Sequence, residues 1–463
     1  MGIIDLADFS GCGSLLQLSH GQLSHGRRMQ NWSGAVEQRA SQLREAGLET
    51  RTAAVLWHAN SIDFFVDLFA IWQIGAVAIP GDPSTPDLRR QQLQNALMPA
   101  LVLEGEGAIE RRESLRNFPL DSALVLLTSG STAQPKGILH SKSAIIRKMQ
   151  LLAAAIDLED FDTTLLALPT FFGHGLICNG LFPLLHGRSL IVAPGFTPSF
   201  VSDLDRLIEE HLVTFVSSTP TVWSFVENFS KKRKKPTLRR IHCASAPLDF
   251  KRMNTILNWA PQAKAFNVYG LTETLGWIAG QWLQPESDPR VVGQLWGSEI
   301  KIESDHRISI RSEAQAQAYF EITEKTEDLD FEIRPLDCWF QSSDLGEWCG
   351  EKIRLLGRQD FMIIKAGLKV QPEEVELIAS QFRGIDSAVC VAIDDQILGS
   401  QIGLAVVRSG NLSLPFESMA LRKWLSERLE SYKIPDQIKV LDRLPVNTRG
   451  KVDRKKLLAE WGR

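Results

Sequence analysis

Residues 126–137 read LLTSGSTAQPKG. An apolar strand runs into seven residues dominated by Thr, Ser and Gly, then Pro135-Lys136-Gly137. Small residues let backbone N–H groups converge on an anion, and hydroxyls add donors. Lys136 adds a positive charge. The chemistry is that of a phosphate-binding loop. It is not the Walker loop, which needs G-K-[ST] where this chain has Pro135-Lys136-Gly137. A polar turn without a ligand is the competing reading.

Working outward, strand and helix patterns alternate. Residues 33–47 predict a helix capped by Ser33 and ended by Gly47. RTAAVLWHA reads as a strand, Asn60 to Ile74 as a helix and GAVAIP as a short buried strand. After the loop come a helix from about Ser143 to Ala155, TTLLALP, SLIVAP, a helix near Ser202–His211, TFVSSTP, RRIHCASAP and AFNVYG. Such alternation argues for an α/β fold with largely parallel sheets. From Val291 to Glu351 short alternating runs (EIKIES, RISIRSE, YFEIT, DCWFQS) predict an antiparallel β subdomain. After Asp360 a smaller α+β unit follows, with strands FMIIKA, SAVCVAI and IGLAVV and helices at Pro372–Ser380 and Phe416–Ser431. The expected division is therefore a large domain at 1–359 and a small one at 360–463.

The chain has 463 residues, 44% hydrophobic and 23% charged, the balance of a globular protein with a core of its own. Its 51 basic and 55 acidic side chains leave a formal charge of −4. That gives no general basis for nucleic-acid binding. Six cysteines form no C-x-x-C pair, so buried reduced thiols are expected. No signal peptide or membrane span is evident, and a cytoplasmic protein is the expectation.

Four more segments carry chemical groups. NVYGLTET (267–274) offers an aromatic ring, a hydroxyl and a carboxylate. WFQSSDLG places Asp344 at a strand end, where a carboxylate can accept ribose hydroxyls. GRQDFMIIKAGLKVQPEEVE (357–376) and LPVNTRGKVDRKKL, with Lys451 in a polar turn, complete the set. Taken singly, each is an ordinary turn.

Together the five segments resemble the adenylate-forming superfamily: acyl- and aryl-CoA synthetases, peptide-synthetase adenylation domains and firefly luciferase. Thr128, Ser129, Gly130, Ser131, Thr132, Pro135, Lys136 and Gly137 match its phosphate loop. Tyr269, Gly270, Thr272 and Glu273 match Y-G-x-T-E, and Ser342-Ser343-Asp344 stands for T-G-D. Pro445 to Arg454 matches P-x-x-x-x-G-K-x-x-R. GAVAIP and ASAPL are also similar. Ala133 replaces the loop's usual glycine, and the usual G-E-(L/I) motif is not evident.

The resemblance implies an ATP-dependent acid ligase. It would form an acyl-adenylate, release pyrophosphate and pass the acyl group to the phosphopantetheine thiol of CoA or an acyl carrier protein. It implies Lys451 on the carboxylate and α-phosphate, Thr272 on an α-phosphate oxygen, and Mg²⁺ held through Glu273. Thr128 to Lys136 would cradle pyrophosphate. Tyr269 and Ser245-Ala246-Pro247 would border adenine, with Asn267 and Gly270 nearby; Asp344 and Arg358 would hold ribose. Asp360 matches the family's hinge, and Lys365 and Gly367 its thiolation strand. PTFFGHGL brings Phe172 and His174 to the acid pocket, with Ala244, Leu271, Leu275, Gly276 and Trp277 as further candidates by position; for Trp277, packing is favoured over recognition. His174 is open to two readings, a hydrogen bond to a ring hydroxyl or a satisfied structural histidine. Bulky walls favour a compact aryl acid such as a hydroxybenzoate. A short- or medium-chain fatty acid ligase and a non-catalytic binder are the alternatives. The basic run Lys231–Lys235 reads as an exposed loop or a docking patch for an acidic carrier protein.

Overall fold

The structure is a computed structural model. It describes residues 9–19, 22–105, 107–112, 116–129, 135–230, 235–321, 332–333, 338–365, 368–395, 399–409, 417–447 and 451–461.

Two large sheets form the bulk of the chain. In the eight-stranded sheet the order is 332–333, 318–321, 135–141, 122–129, 77–80, 53–57, 101–104, 108–111. The nine-stranded sheet runs 294–295, 276–282, 264–271, 240–244, 215–218, 163–166, 189–192, 15–19, 22–29. The α/β expectation holds, but both sheets are mixed. Their central strands pair in parallel, while hairpins such as 122–129/135–141 and 264–271/276–282 run antiparallel. The reason is local: LTSG…PKG and YGLTETLG reverse the chain within a few residues, too short for a crossover helix.

Side chains alternate across the strands. Ala54 and Leu56 enter a core shared with the helices Trp32–Glu45, Ile62–Ile74 and Lys142–Ala155, whereas Ala53, Val55 and Trp57 face the sheet's other side. Leu165 and Leu166 divide likewise in the nine-stranded sheet. Caps set the helix starts. Ser61 Oγ accepts from Phe64 N and Ser141 Oγ from Ala144 N, both at 3.1 Å. Ser33 is not a cap: the first helix starts at Trp32, which buries its indole and donates to Gly13 O.

The β subdomain is a four-stranded antiparallel sheet, Glu299–Ile302, Arg307–Arg311, Phe340–Cys349 and Lys352–Arg358. One run predicted for it lies elsewhere. Ala318–Glu321 pairs with Pro135–Ser141, so Tyr319 stands opposite Ile138 and Glu321 opposite Lys136. Beyond Gln359 a two-stranded and a three-stranded sheet, with helices Pro372–Ser380 and Ser418–Ser426, enclose their own apolar cluster. Cys178, Cys243 and Cys390 are buried and all six cysteines are free thiols, but Cys349 is exposed. No helix among the described residues is long and apolar enough to cross a membrane.

Gly137 lies where these two runs meet. A β-carbon there would collide with the Phe320 ring, which is buried on the neighbouring strand. Gly137→Ala is expected to lower stability by about 1–3 kcal/mol, read as a lower urea midpoint with an unchanged m-value.

Candidate active site

The described ends of the phosphate-loop segment lie on two antiparallel strands, Ser122–Ser129 and Pro135–Ser141. Thr128 pairs with Lys136 and Ser129 with Pro135, so the lysine returns directly beside the strand that leaves for the loop. The helix begins only at Lys142, after the whole return strand. Gly130, Ser131 and Thr132, expected in the phosphate loop, lie outside the described residues, as do the side chains of Thr128 and Ser129.

NVYGLTET ends the strand Lys264–Leu271 and turns through a single 3₁₀ turn at Thr272–Thr274. The chain then passes through left-handed backbone at Leu275 (φ 54°) and Gly276 (φ 91°) before the return strand. Gly270 faces the Gly276 carbonyl so closely that no β-carbon fits. Tyr269 Oη donates to Asp344 Oδ2 at 2.7 Å, and Asp344 Oδ1 pairs with Arg358 at 3.1 Å. Arg358 also reaches Asp360 at 2.9 Å. A chain of four side chains therefore links the strand end, the β subdomain and the expected hinge. Burial, with the Asp344 charge beside it, pushes the Tyr269 hydroxyl well above its ordinary range. Burial also raises Glu273, and Asp344 adds to this while Arg358 and Lys136 oppose it. Glu273, Asp344, Arg358 and Lys136 thus share one electrostatic neighbourhood. Asn267 is taken up by structure: its amide nitrogen donates to Pro289 O at 2.7 Å and Val291 O at 3.3 Å.

His174 opens a buried eight-residue π-helix, His174–Leu181. Both ring nitrogens are engaged, Nδ1 with Ser245 Oγ at 2.9 Å and Nε2 with Ser217 Oγ at 2.7 Å. The satisfied reading of His174 therefore holds, and no ring nitrogen is left to meet a substrate hydroxyl. Ser245 takes left-handed backbone (φ 75°) at the end of the strand that carries Ala244, and Ala246 and Pro247 follow it towards the surface. Trp277 is fully buried in the core, as the packing reading expected, with its ring 5.7 Å from the His174 ring and 4.4 Å from the His242 ring. Leu275 is buried, Leu271 half-buried, and Gly276 presses against the Cys178 thiol.

Lys451 enters this site from the far end of the sequence. Its ammonium stands over the Phe172 ring, 5.4 Å from the centroid. Burial lowers His174 to about 3, and the Lys451 charge pushes the same way. The lysine's backbone is braced by Asn447, whose side chain accepts from Lys451 N at 3.1 Å and whose own N–H donates to Lys451 O at 2.8 Å. Lys365 is held elsewhere, on Asp436 at 2.6 Å, and Gly367 lies outside the described residues.

Several residues escaped the sequence reading. Asp386 receives Lys251 at 2.8 Å and Arg252 at 2.9 Å, tying the strand Ile385–Asp395 to the start of the helix Phe250–Trp259. Lys148 is fully buried and donates to the Trp277 carbonyl, and burial lowers it to about 8. Ser217 and His242 gave no signal, because nothing in TFVSSTP or RRIHCASAP announces a partner for a distant ring. In the basic run, Lys235 is buried against Asp205 at 3.0 Å, contrary to an exposed loop, and 231–234 lie outside the described residues.

The family profile described as "AMP-binding enzyme" matches residues 104–313, and "AMP-binding enzyme C-terminal domain" matches 374–451. Together they span more than half of the sequence and contain Lys136, Glu273 and Lys451. The chain belongs to the AMP-binding, adenylate-forming enzymes. It is similar to oxalate–CoA ligase of Saccharomyces cerevisiae, 28% identical over 72% of this chain and 62% of that one. It is also similar to gramicidin S synthase 2 of Aneurinibacillus migulanus, 24% identical over 91% of this chain but 10% of that much longer protein. The chain thus spans less than two thirds of either relative. Among solved structures, o-succinylbenzoate CoA synthetase of Bacillus subtilis with its acyl-adenylate superposes with a TM-score of 0.76 at 23% identity, covering 96% of this chain and 94% of that one. That likeness shows the fold.

Three buried histidines give this AMP-binding enzyme an acid limb. His140 and His174 are lowered to about 3 and His242 further, each chiefly by burial. An unfolded histidine binds a proton near pH 6.5, so the unfolded chain takes up protons that the folded one refuses. Stability is complete above about pH 6.5 and falls as pH drops, by up to about 1.4 kcal/mol per pH unit for each histidine. Urea midpoints between pH 7.5 and 5 should show this slope, and His174→Gln should flatten it by about one proton's share.

Proposed function

We propose that this enzyme activates a small carboxylic acid as its acyl-adenylate and transfers the acyl group to a phosphopantetheine thiol, on CoA or on a carrier protein. The observation that carries the reading is the seat of Lys451: its ammonium stands over Phe172 and its charge reaches His174, while Lys136, Asp344 and Arg358 act on Glu273. An anionic carboxylate attacking an anionic phosphorus needs positive charge at the meeting point, and in a dry site that charge acts strongly. Lys451 would hold the carboxylate against the α-phosphate. Lys136 and the hairpin tip would take the departing pyrophosphate, and Thr272 an α-phosphate oxygen. Asp344 would accept the ribose hydroxyls, kept in place by Tyr269 and Arg358. Burial raises Glu273, so a cation beside it would offset the cost of its buried charge. A Mg²⁺ bound through one carboxylate and substrate phosphates suits it. That ion would supply charge neutralisation on the phosphates.

For the acid we infer a compact aryl acid such as a hydroxybenzoate. Phe172, Trp277 and the buried His174 leave aromatic walls, and a relative in fold is titled an o-succinylbenzoate CoA synthetase. The 360–463 unit would turn about Asp360 after adenylation, withdrawing Lys451 and bringing in the strand near Lys365 and Gly367 for the thiol. The likeness to a peptide synthetase supports a carrier protein as one acceptor. ATP and CoA as substrates make the cytoplasm the working compartment.

Pyrophosphate release should appear with one or a few aryl acids from a panel of benzoates, cinnamates, fatty acids, oxalate and amino acids. Lys451→Ala should bind ATP as before and lose release by a factor of at least about 10². Unaltered release in that variant would remove Lys451 from the chemistry. The Asp386 clamp favours the arrangement with Lys451 in the site. Asp386→Ala should therefore slow adenylation several-fold while leaving transfer from a supplied acyl-adenylate to thiol unchanged or faster. Equal losses in both half-reactions would assign the clamp to folding alone.

A further inference from the structure

Charged side chains from both units crowd the expected hinge at Asp360. Gln359–Phe361 makes a single 3₁₀ turn after the strand Lys352–Arg358. The Phe361 ring meets two guanidinium groups, Arg358 at 5.7 Å and Arg454 at 5.0 Å from its centroid. Gln371, at the start of the helix Pro372–Ser380, and Glu373, in its first turn, press back on Gly357. A β-carbon at Gly357 would lie 2.6 Å from Glu373 Oε2 and 2.8 Å from Gln371 Oε1. Only a glycine allows that approach.

Both oxygens are buried, and neither has a hydrogen-bond partner among the described residues. Two buried acceptors that converge without a donor call for an explanation. Protonation supplies one: it turns Glu373 into a donor, with Gln371 Oε1 as the nearby acceptor. The charges around Glu373 do not keep it ionised. Arg454 gives its bonds to Glu376, at 2.7 and 3.0 Å, and stays 4.0 Å from Glu373. Arg358, on the strand Lys352–Arg358, is taken by Asp344 and Asp360. Cys390, on the strand Ile385–Asp395, keeps its proton, and Lys433 pairs with Glu374 instead. Burial first, then the Glu376 charge, raise Glu373 to about 7, against the pull of Arg454 and Arg358.

We propose that Glu373 is a positioning residue that ties the turn of the small unit to its own protonation: as a neutral acid it holds the arrangement with Lys451 in the site, and as a carboxylate it releases it. The proposal rests on the ligase reading and on the turn about Asp360, and adds what biases that turn. Gly357 precedes the hinge and Glu373 follows it, so a rotation there would part them and open Glu373 to water. The sign follows by linkage. A group that holds its proton more tightly in one arrangement favours that arrangement at low pH. An exposed glutamate ionises near pH 4.3, as an order of magnitude about three pH units lower. Release therefore gains up to about tenfold per pH unit as pH rises to about 7, and levels off above.

The test follows both half-reactions from about pH 5.5 to about pH 8.5, with an acid that supports release. One is the pyrophosphate burst from ATP and acid. The other is single-turnover transfer from the supplied acyl-adenylate to CoA or a holo carrier protein, whichever accepts it. Glu373→Gln is neutral at every pH. The wild-type ratio of transfer to adenylation, divided by that of Glu373→Gln, should rise by about tenfold between pH 5.5 and 7 and then level off. The division removes the titration of the acceptor thiol, which both proteins share. If Glu373→Gln fails to fold, Glu373→Ala, also uncharged, gives the same quotient. A Gln371 amide donating to an ionised Glu373, or a purely structural role, would leave the quotient flat. A flat or falling quotient would overturn the proposal and leave the ligase intact. No release with any acid would overturn the ligase reading, and the proposal with it.

Discussion

Lys451 over the Phe172 ring is the contact on which the site depends. It joins the last part of the sequence to a loop on the nine-stranded-sheet side, and neither part holds chemical machinery by itself. The ammonium is brought there by a braced turn at Asn447. The unit that bears it is tied down by charge, through Asp386 to Lys251 and Arg252. An ion pair with partly buried partners is strong enough to favour one arrangement and weak enough to exchange. That suits the proposed ligase, whose two half-reactions would need the same cavity in turn.

Burial then decides which groups carry charge. His174 is kept neutral chiefly by its burial, and the Lys451 charge pushes the same way. Tyr269 keeps its proton and uses it to orient Asp344, which Arg358 fixes from the other side. The side chains around Phe172 and His174 are mostly aromatic, and Lys451 brings a positive charge to them. Under the proposed function, such a wall beside a cation would orient an amphipathic acid.

The alternation of strand and helix was legible because it follows from local patterning. So were the motif segments, whose residue types are unusual enough to align with a family. Sheet direction was less legible. YFEIT has the alternation of an antiparallel strand, and it is one, but pairing with Pro135–Ser141 is a long-range choice that alternation does not encode. Ser33 has the right chemistry for a cap, yet Trp32 is drawn into the core and shifts the helix start. Trp277 reads as packing because a tryptophan on a strand is usually core, and it is buried there; its neighbours His174 and His242, on other elements, are a long-range choice.

What the sequence determined by itself was the list of chemical parts: a loop with Lys136, a turn with Thr272 and Glu273, a carboxylate at Asp344, a lysine at Lys451. These are short runs in which neighbours along the chain are neighbours in space. What only the tertiary structure decided was which parts meet and in what state. The hydrogen of His242 is placed by Arg240, the His174 ring is held between Ser217 and Ser245, and the strand Ile385–Asp395 is tied through Asp386 to Lys251 and Arg252. Each of these depends on groups far apart in the chain, brought together by packing, and on the burial that fixes their protonation; neither quantity is written in local sequence.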